Sequence, residues 1–371
     1  MIGLVNGNVN LLSSLNQAQT EGVLAYYQPS DKTIRIKGTS LDLATRVTLS
    51  HEMTHALQDQ YFDLQKLQHL DNDDESGAID ALIEGDAEWV KNSYVESLSA
   101  ADQREYEKES DAQDAKANFD GVPPFIQIMF GSPYEFGPAL VQVLRTTGGQ
   151  SALDAAFKKP PSDEQQIFDP VKFIDHVDAM KVAEPTPPPG AKVFDRGTFD
   201  PDGWFIMLSE RIDPHEALQA PDAWGGDHYI SYDTASNQTC EQTRFVGASP
   251  AGTATMQRAL GDWVRALPVK TASVRRDGSS LVFQSCDPGP KAHVATGRSL
   301  DAFTLSVARV GILEVLVKDG APLAAADCMA NRIVATSTIA QLNDPTGAAY
   351  SSASGRANLA AIGLACRQQT G

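Results

Sequence analysis

The hydrophobic pattern near the start of the chain predicts a hairpin followed by two helices. The stretches GVLAYYQ and TIRIKG are rich in β-branched and aromatic residues, and PSDK between them is typical of a turn. Residues 41–67 then carry apolar side chains near the helical period, with Ser40 as the candidate N-cap. An acidic loop, HLDNDDESG, precedes a second predicted helix at about residues 78–97.

The rest of the chain alternates predicted helices and hairpins, so the expected class is α+β. Residues 100–120 are charged and predict an exposed helix or a mobile excursion, and a helix after YEFGPAL should stop at the double glycine of RTTGG. WGGDHYISYD and QTCEQTRFVG predict one hairpin, and TASVRRDGSSLVFQSC predicts another that turns at Asp277-Gly278. FTLSVARVGILEVLV predicts a long strand or a strand pair, and residues 322–368 predict an Ala-rich helical pair.

Composition narrows the class of protein. The chain has 371 residues, which suggests two domains or one large domain plus a smaller one, and its apolar fraction of 42% allows a sizeable core. The net charge of -18 argues against nucleic acid or an anionic membrane surface as a partner. Because no uncharged apolar run reaches about 18 residues, no membrane span is expected.

The four cysteines indicate structural disulfides. Sequence order and neighbouring elements favour Cys240 with Cys286 and Cys328 with Cys366 among the three possible pairings, and buried free thiols are the alternative. Disulfides indicate an exported protein, secreted or in the cell envelope. The opening MIGLVNGNVN lacks the features of a signal peptide, so we expect an export signal upstream of this sequence.

The pentapeptide His51-Glu-Met-Thr-His55 is the strongest candidate for chemistry. Residues four apart on a helix share a face, so His51 and His55 can present two imidazoles to one metal ion. Glu52 lies beside them at an angle suited to a carboxylate next to a metal-bound water. The alternative is an ordinary buried helix that carries two histidines, because this short pattern also occurs by chance.

A catalytic zinc site needs a third protein ligand, and the second helix offers one. Asp80, Glu84 and Glu88 share one helix face, where three carboxylates would repel one another without a cation or a basic partner nearby. We predict Glu84 as the ligand, Glu88 as the acceptor for a histidine N–H, and Asp80 as an alternative orienting group. Asp86 points off that face, and small residues such as Gly85 should permit close approach to the first helix.

These motifs resemble a known family. HEMTHALQD looks like the active-site helix of thermolysin-like zinc peptidases, and IEGDAE resembles the glutamate helix of the gluzincins. More closely, the segments YYQPSDKTIRI, LIEGDA, PPSDEQQIFDP and WGGDHYISY are similar to those of a bacterial group of exported gluzincin-like proteins. The similarity spans about residues 1–235.

The resemblance implies a domain organisation. Residues 1–235 would form a zincin-like catalytic domain, in which a small mixed sheet accompanies the active-site and glutamate helices, with a Pro-rich connection at 184–192. Residues 236–321 would form a hairpin-rich α+β region, and residues 322–371 a disulfide-linked helical pair.

The resemblance also implies an activity. One catalytic Zn²⁺ would be held by His51, His55 and Glu84, and Glu52 would activate a zinc-bound water for hydrolysis of a peptide or protein substrate. A catalytically inactive zincin, acting as a binding or cell-envelope module, is the alternative. An intact Glu52 argues against that alternative. A third hypothesis is that the chain is an exported binding protein whose C-terminal part carries the function.

The remaining candidates are residues that would contact the substrate and an acidic run that could bind calcium. The resemblance places the strand of GGDHYISY near the cleft, so His228 or Tyr229 is predicted to stabilise the developing oxyanion, with Tyr134 as a weaker candidate. The resemblance also implies that TIRIKG is the edge strand that binds an extended substrate. The acidic run is interpreted as a solvated turn rather than a calcium site; it comprises Asp71, Asp73, Asp74 and Glu75.

Overall fold

A computed structural model describes residues 1–67 and 73–370, with the backbone alone at 73–76 and 370. The chain divides into two compact units. The helical unit comprises Asn10–Val122 and Ile126–Pro161. The sheet unit comprises Met1–Val9, Pro123–Phe125 and the described chain from Ser162 onwards. The architecture mixes helices with two small antiparallel sheets, as expected for an α+β protein.

The helical unit contains a β-hairpin and most of the long helices. Its elements are α1 (Leu11–Thr20), β1 (Ala25–Gln28), β2 (Thr33–Ile36), α2 (Leu43–Phe62), α3 (Leu64–Leu67), α4 (Asp73–Ser97), α5 (Ala100–Asp114) and α6 (Pro124–Lys158). The antiparallel pairing of β1 with β2 confirms the predicted hairpin.

The predicted helix over 41–67 is two helices. Asp42, rather than Ser40, caps α2, because its side chain accepts a hydrogen bond from Thr45 N. The chain then turns at Asp63, which adopts φ 57°, a left-handed conformation that ends α2. The hairpin is fixed to the end of α2 by the buried Asp59 carboxylate, which accepts hydrogen bonds from Tyr27 Oη and Lys32 Nζ.

Helices α4 and α6 cross at a pair of glycines. A Cβ atom added at Gly85 would lie 2.2 Å from the carbonyl carbon of Gly137, and one added at Gly137 would lie 2.1 Å from Ala81 O. The small residues of α4 therefore allow close approach to α6, whereas the sequence suggested that they faced α2. The predicted stop at the double glycine is a kink inside α6, where Gly149 has φ 64°.

The sheet unit is built on a five-stranded antiparallel sheet in the order β3-β4-β5-β7-β6. Its elements are α7 (Gln165–Phe168), α8 (Pro170–Ile174), β3 (Lys192–Gly197), α9 (Pro201–Ser209), α10 (Pro214–Asp222), β4 (Trp224–Asp233), β5 (Thr239–Gly247), α11 (Pro250–Ala266), β6 (Ala272–Asp277), β7 (Ser280–Cys286), α12 (Arg298–Lys318), α13 (Leu323–Thr336), α14 (Ile339–Leu342), α15 (Ala348–Ser351) and α16 (Ala353–Thr370). The two predicted hairpins are β4–β5 and β6–β7.

Aromatic side chains form the centre of this unit. Trp204 and Trp263 are fully buried and meet Phe283 edge to face. The buried Asp227 carboxylate accepts hydrogen bonds from the indole nitrogens of Trp204 and Trp224 at 2.7 and 2.6 Å. These bonds satisfy the polar atoms of two large side chains that would otherwise be costly to bury.

The prediction of a strand over FTLSVARVGILEVLV is wrong, because this segment lies within helix α12. Its buried residues include Leu305, Val310, Leu313 and Val317, which follow a helical spacing. Glu210 accepts hydrogen bonds from the backbone nitrogens of Gly297 and Ser299 and so satisfies the start of this helix. An apolar, β-branched run does not distinguish a strand from a buried helix without its packing partners.

Both predicted disulfides are present. Cys240 and Cys286 join the directly paired strands β5 and β7, and Cys328 and Cys366 join α13 to α16, which confirms the linked C-terminal helical pair. Disulfides are typical of proteins that fold in oxidising compartments. Among the described residues, no helix is both long and apolar enough to cross a membrane.

The compact units divide the chain at different positions from the predicted ranges 1–235, 236–321 and 322–371. Residue 235 lies in the turn between the paired strands β4 and β5, and strands from 192 to 286 share one sheet. The hydrogen bonds of the sheet therefore join segments that the sequence assigned to separate regions.

Candidate metal centre

Helix α2 brings the two histidines of the HEMTH motif together. His51 and His55 are both buried, and their Nε2 atoms lie 2.9 Å apart. Their rings meet edge to face with centroids 4.6 Å apart. The i, i+4 spacing on one helix face therefore gives the convergence that the sequence predicted.

Helix α4 adds a carboxylate to this pair. Glu84 Oε2 lies 3.1 Å from His51 Nε2 and 3.4 Å from His55 Nε2. The three residues each offer a ligand atom, and these atoms lie within 4.8 Å of one another. Zinc bonds of 2.0–2.2 Å in a tetrahedral site would separate its ligand atoms by about 3.3 Å. The donor set of two imidazoles and one carboxylate could therefore hold a metal ion.

The other ring nitrogen of each histidine faces a polar partner. His51 Nδ1 lies 3.2 Å from Glu88 Oε1, at ion-pair distance, and Glu88 also pairs with Lys91. His55 Nδ1 lies 3.0 Å from Gln58 Oε1. Such partners orient the rings of metal-binding histidines. The predicted role of Glu88 as acceptor for a histidine N–H stays a prediction, because His51 Nδ1 lies near Glu88 without the geometry of a hydrogen bond. Gln58 was missed, although it lies only three residues after His55.

Charges inside the site shift the pKa values of its groups strongly. Burial alone would lower the pKa of His51, but the Glu84 and Glu88 carboxylates raise it to about 9. Burial alone would raise the pKa of Glu84, but His51 and His55 lower it to about 2. These opposite shifts reflect a buried cluster of carboxylates that requires positive charge nearby.

Glu52 lies on the side of α2 that faces the hairpin. Its carboxylate is buried, and Oε2 accepts a hydrogen bond from Tyr27 N of β1 at 2.7 Å. Burial is the largest influence on Glu52 and raises the pKa of its carboxyl. The strand next to Glu52 is therefore β1, whereas the sequence suggested β2 as the substrate-binding strand.

Tyr134 of α6 is the second aromatic group beside the histidines. Its ring stacks on that of His51 with centroids 6.2 Å apart, and 46% of the residue is exposed. Burial and the negative charge of the Glu84 carboxylate raise the pKa of Tyr134 well above its usual range. The tyrosine thus adds an aromatic ring, stacked on a candidate ligand, to the surroundings of the histidines.

Two other predicted residues belong to the sheet unit. His228 and Tyr229 lie on β4, where His228 Nε2 is 3.8 Å from Glu184 Oε2 and Tyr229 Oη donates to Asp195 Oδ2 at 3.0 Å. Their assignment to oxyanion stabilisation stays a prediction.

The remaining acidic candidates have separate positions. Asp80 is half-buried on α4, and its role as an orienting group stays a prediction. Asp86 is buried, and it contacts Gln58 and Arg145. The side chains of the acidic run Asp71, Asp73, Asp74 and Glu75 lie outside the described residues.

Comparisons with protein-family models, with curated proteins and with solved structures found no match. The case for a function therefore rests on the site itself.

Proposed function

We propose that this protein is a zinc-dependent peptidase of the gluzincin type, with a zincin-like catalytic region in the helical unit. The observation that carries the proposal is the convergence of His51, His55 and Glu84 beside a buried Glu52. The order of hairpin, histidine helix and glutamate helix supports the resemblance to exported gluzincin-like proteins.

The proposed ligands are His51 Nε2, His55 Nε2 and a carboxylate oxygen of Glu84. A zinc ion bound there would act as a Lewis acid, polarising a carbonyl and lowering the pKa of a bound water. Three protein ligands leave room for water or substrate, as catalytic sites require and closed structural sites do not.

Glu52 is the proposed general base. It would accept a proton from the attacking water and return it to the leaving amine of the peptide bond. Burial raises the pKa of Glu52, which suits a group that must both accept and donate a proton near neutral pH. The hydrogen bond from Tyr27 N holds one carboxylate oxygen, so the other oxygen can serve the reaction.

The proposal is tested by metal analysis combined with digestion of a denatured protein. We expect about one zinc per chain and cleavage that stops when a chelator removes the metal. Glu52→Gln should retain zinc and lose at least about 10²-fold in kcat/KM, the lower limit for loss of a general base. Glu107→Gln is the matched control, because Glu107 is exposed on α5.

Two results would contradict the proposal in different ways. A wild-type protein that binds zinc but cleaves no peptide in a diverse library would instead support the inactive binding module. A wild-type protein without bound zinc, and unable to bind added zinc, would remove the metal centre altogether.

A further inference from the structure

Gln58 of α2 makes three hydrogen bonds, one to His55 on its own helix and two to residues of α4. Its side chain is buried, with 3% of the residue exposed. Oε1 lies 3.0 Å from His55 Nδ1, and Nε2 donates to Ile83 O and to Asp86 Oδ2, each at 3.0 Å. Both amide protons and the amide oxygen are therefore used.

These partners allow one orientation of the Gln58 amide. Ile83 O and the Asp86 carboxylate can only accept hydrogen bonds, so the NH₂ group must face them. The amide oxygen must then face His55 Nδ1, which has to be the donor. A neutral His55 consequently carries its free lone pair on Nε2, the atom that faces Glu84 and His51.

Asp86 is itself held in place from α6. Arg145 Nη2 donates to Asp86 Oδ1 at 3.1 Å, and the Arg145 guanidinium lies 3.7 Å from the centre of the Trp89 ring. Because an arginine keeps its charge and its planar donor geometry, it fixes the carboxylate as the acceptor for Gln58. A chain of contacts thus runs from Trp89 and Arg145 through Asp86 and Gln58 to His55.

We infer that Gln58 is a positioning residue that holds His55 in the Nδ1–H tautomer, and that the Asp86–Arg145 pair fixes the direction of the Gln58 amide. This inference rests on the metal centre proposed above. It assigns the two histidines different supports, since His51 faces a carboxylate and His55 faces a neutral amide. The amide sets which nitrogen of His55 is available as a ligand.

The first test removes the acceptor with Gln58→Leu. We expect zinc affinity, measured by competition with a chromophoric chelator, to fall about 10- to 100-fold, the usual effect of losing such a partner. The protected Nδ1–H resonance of His55 in ¹H–¹⁵N spectra of the zinc-loaded protein should disappear. Gln60→Leu is the matched control, because Gln60 is an exposed glutamine on the same helix.

The second test reverses the polarity of the Gln58–Asp86 contact. Gln58→Glu keeps an acceptor for His55 Nδ1–H but places a carboxylate against two further acceptors, Asp86 and Ile83 O, and should therefore lower zinc affinity. Adding Asp86→Asn supplies an N–H donor to that carboxylate while leaving an acceptor for Arg145. We expect the double variant to recover about 10-fold in affinity over Gln58→Glu, a coupling typical of residues in one hydrogen-bond network.

The outcomes separate this inference from the proposed function. If the wild-type protein binds no zinc, the metal centre fails. If it binds zinc, and Gln58→Leu keeps both the affinity and the His55 Nδ1–H signal, only the positioning role is overturned. If Gln58→Leu does not fold, the test is the comparison of Gln58→Glu with the double variant that adds Asp86→Asn. Equal zinc affinity of these two variants overturns the inference.

Discussion

At the scale of single residues, the site is defined by which atom of each side chain faces which partner. His51 and His55 turn Nε2 inward and Nδ1 towards Glu88 and Gln58. The sequence indicates these residue types, but ring orientation depends on partners from two helices. A candidate metal centre is therefore better supported by the direction of its lone pairs than by the motif alone.

The oxyanion-stabilising donor can be tested at this scale. We expect Tyr134→Phe to keep zinc and to lower kcat by about 10²-fold, since loss of one stabilising donor typically costs this much. The expectation follows from the position of Tyr134, whose ring stacks on that of His51 with centroids 6.2 Å apart. Steady-state kinetics should be compared for Tyr134→Phe, Tyr229→Phe and His228→Gln.

The two β4 variants remove the donors that the sequence favoured, with Tyr134 as the weaker candidate. A loss in kcat for His228→Gln or Tyr229→Phe, with Tyr134→Phe unchanged, would assign the role to β4 instead. Zinc content measured for each variant separates an effect on catalysis from an effect on metal binding.

At the scale of elements, the position of Glu84 depends on how α4 packs. The adjacent Gly85 meets Gly137 of α6 backbone to backbone, so α4 approaches α6 more closely than any side chain would allow. The contact of Gly85 with Gly137, on another side of α4, therefore determines the direction in which the face that carries Glu84 points. This explains why small residues on α4 matter to a site that they do not touch.

Gly85→Ala tests this packing. Its added methyl would overlap the backbone of α6, so we expect the free energy of unfolding to fall by about 3 kcal/mol or more and zinc affinity to fall with it. Urea unfolding and chelator competition measure the two effects. Gly131→Ala is the control, since a Cβ at Gly131 meets nothing within 4 Å and alanine favours a helix by up to about 1 kcal/mol. Equal stability of the two variants would contradict the packing argument.

At helix α12, the local sequence pattern was insufficient to predict the type of secondary structure. Its Val and Ile residues suggested a strand, yet buried leucines and valines at helical spacing pack within the sheet unit. In contrast, the two hairpins of that unit were predicted correctly, because turn residues such as Gly278, at φ 62°, determine their conformation locally. When the side chains of a segment suit both a helix and a strand, their burial in the tertiary structure determines which of the two forms.

At the scale of the whole molecule, the net charge of -18 includes carboxyl groups that are removed from water. Arg309 is buried in the sheet unit, with Asp222 and Phe168 O as hydrogen-bond partners. Burial and the nearby Asp169 raise the pKa of Asp327 to about 6, although Arg309 opposes the shift. Burial likewise raises the pKa of Asp169.

These shifts predict a pH dependence of stability. The folded-state pKa of Asp327 exceeds its ordinary value near 4, so its contribution is most favourable below about pH 4 and is lost as the pH rises to about 6. Asp327→Asn should remove that decline and raise the free energy of unfolding at pH 7 by about 1–2 kcal/mol, allowing for partial exposure.

Urea unfolding between pH 4 and pH 7, followed by tryptophan fluorescence, measures this effect. Trp204, Trp224 and Trp263 report on the sheet unit, where Asp327 lies. Asp319→Asn is the control, since Asp319 is exposed at the end of α12. An unchanged pH profile in Asp327→Asn would show that this carboxyl does not carry the dependence.

The sequence by itself determined the features that depend on short-range geometry. These are the hairpins, the helix face shared by His51 and His55, and the favoured disulfide pairings, each of which follows from local spacing, turn chemistry or chain order. Only the tertiary structure decided that Glu84 reaches both histidines and that Gln58 orients His55. The Glu84 contacts join α4 to α2, and the crossing of helices is set by the packing of side chains far apart in the chain.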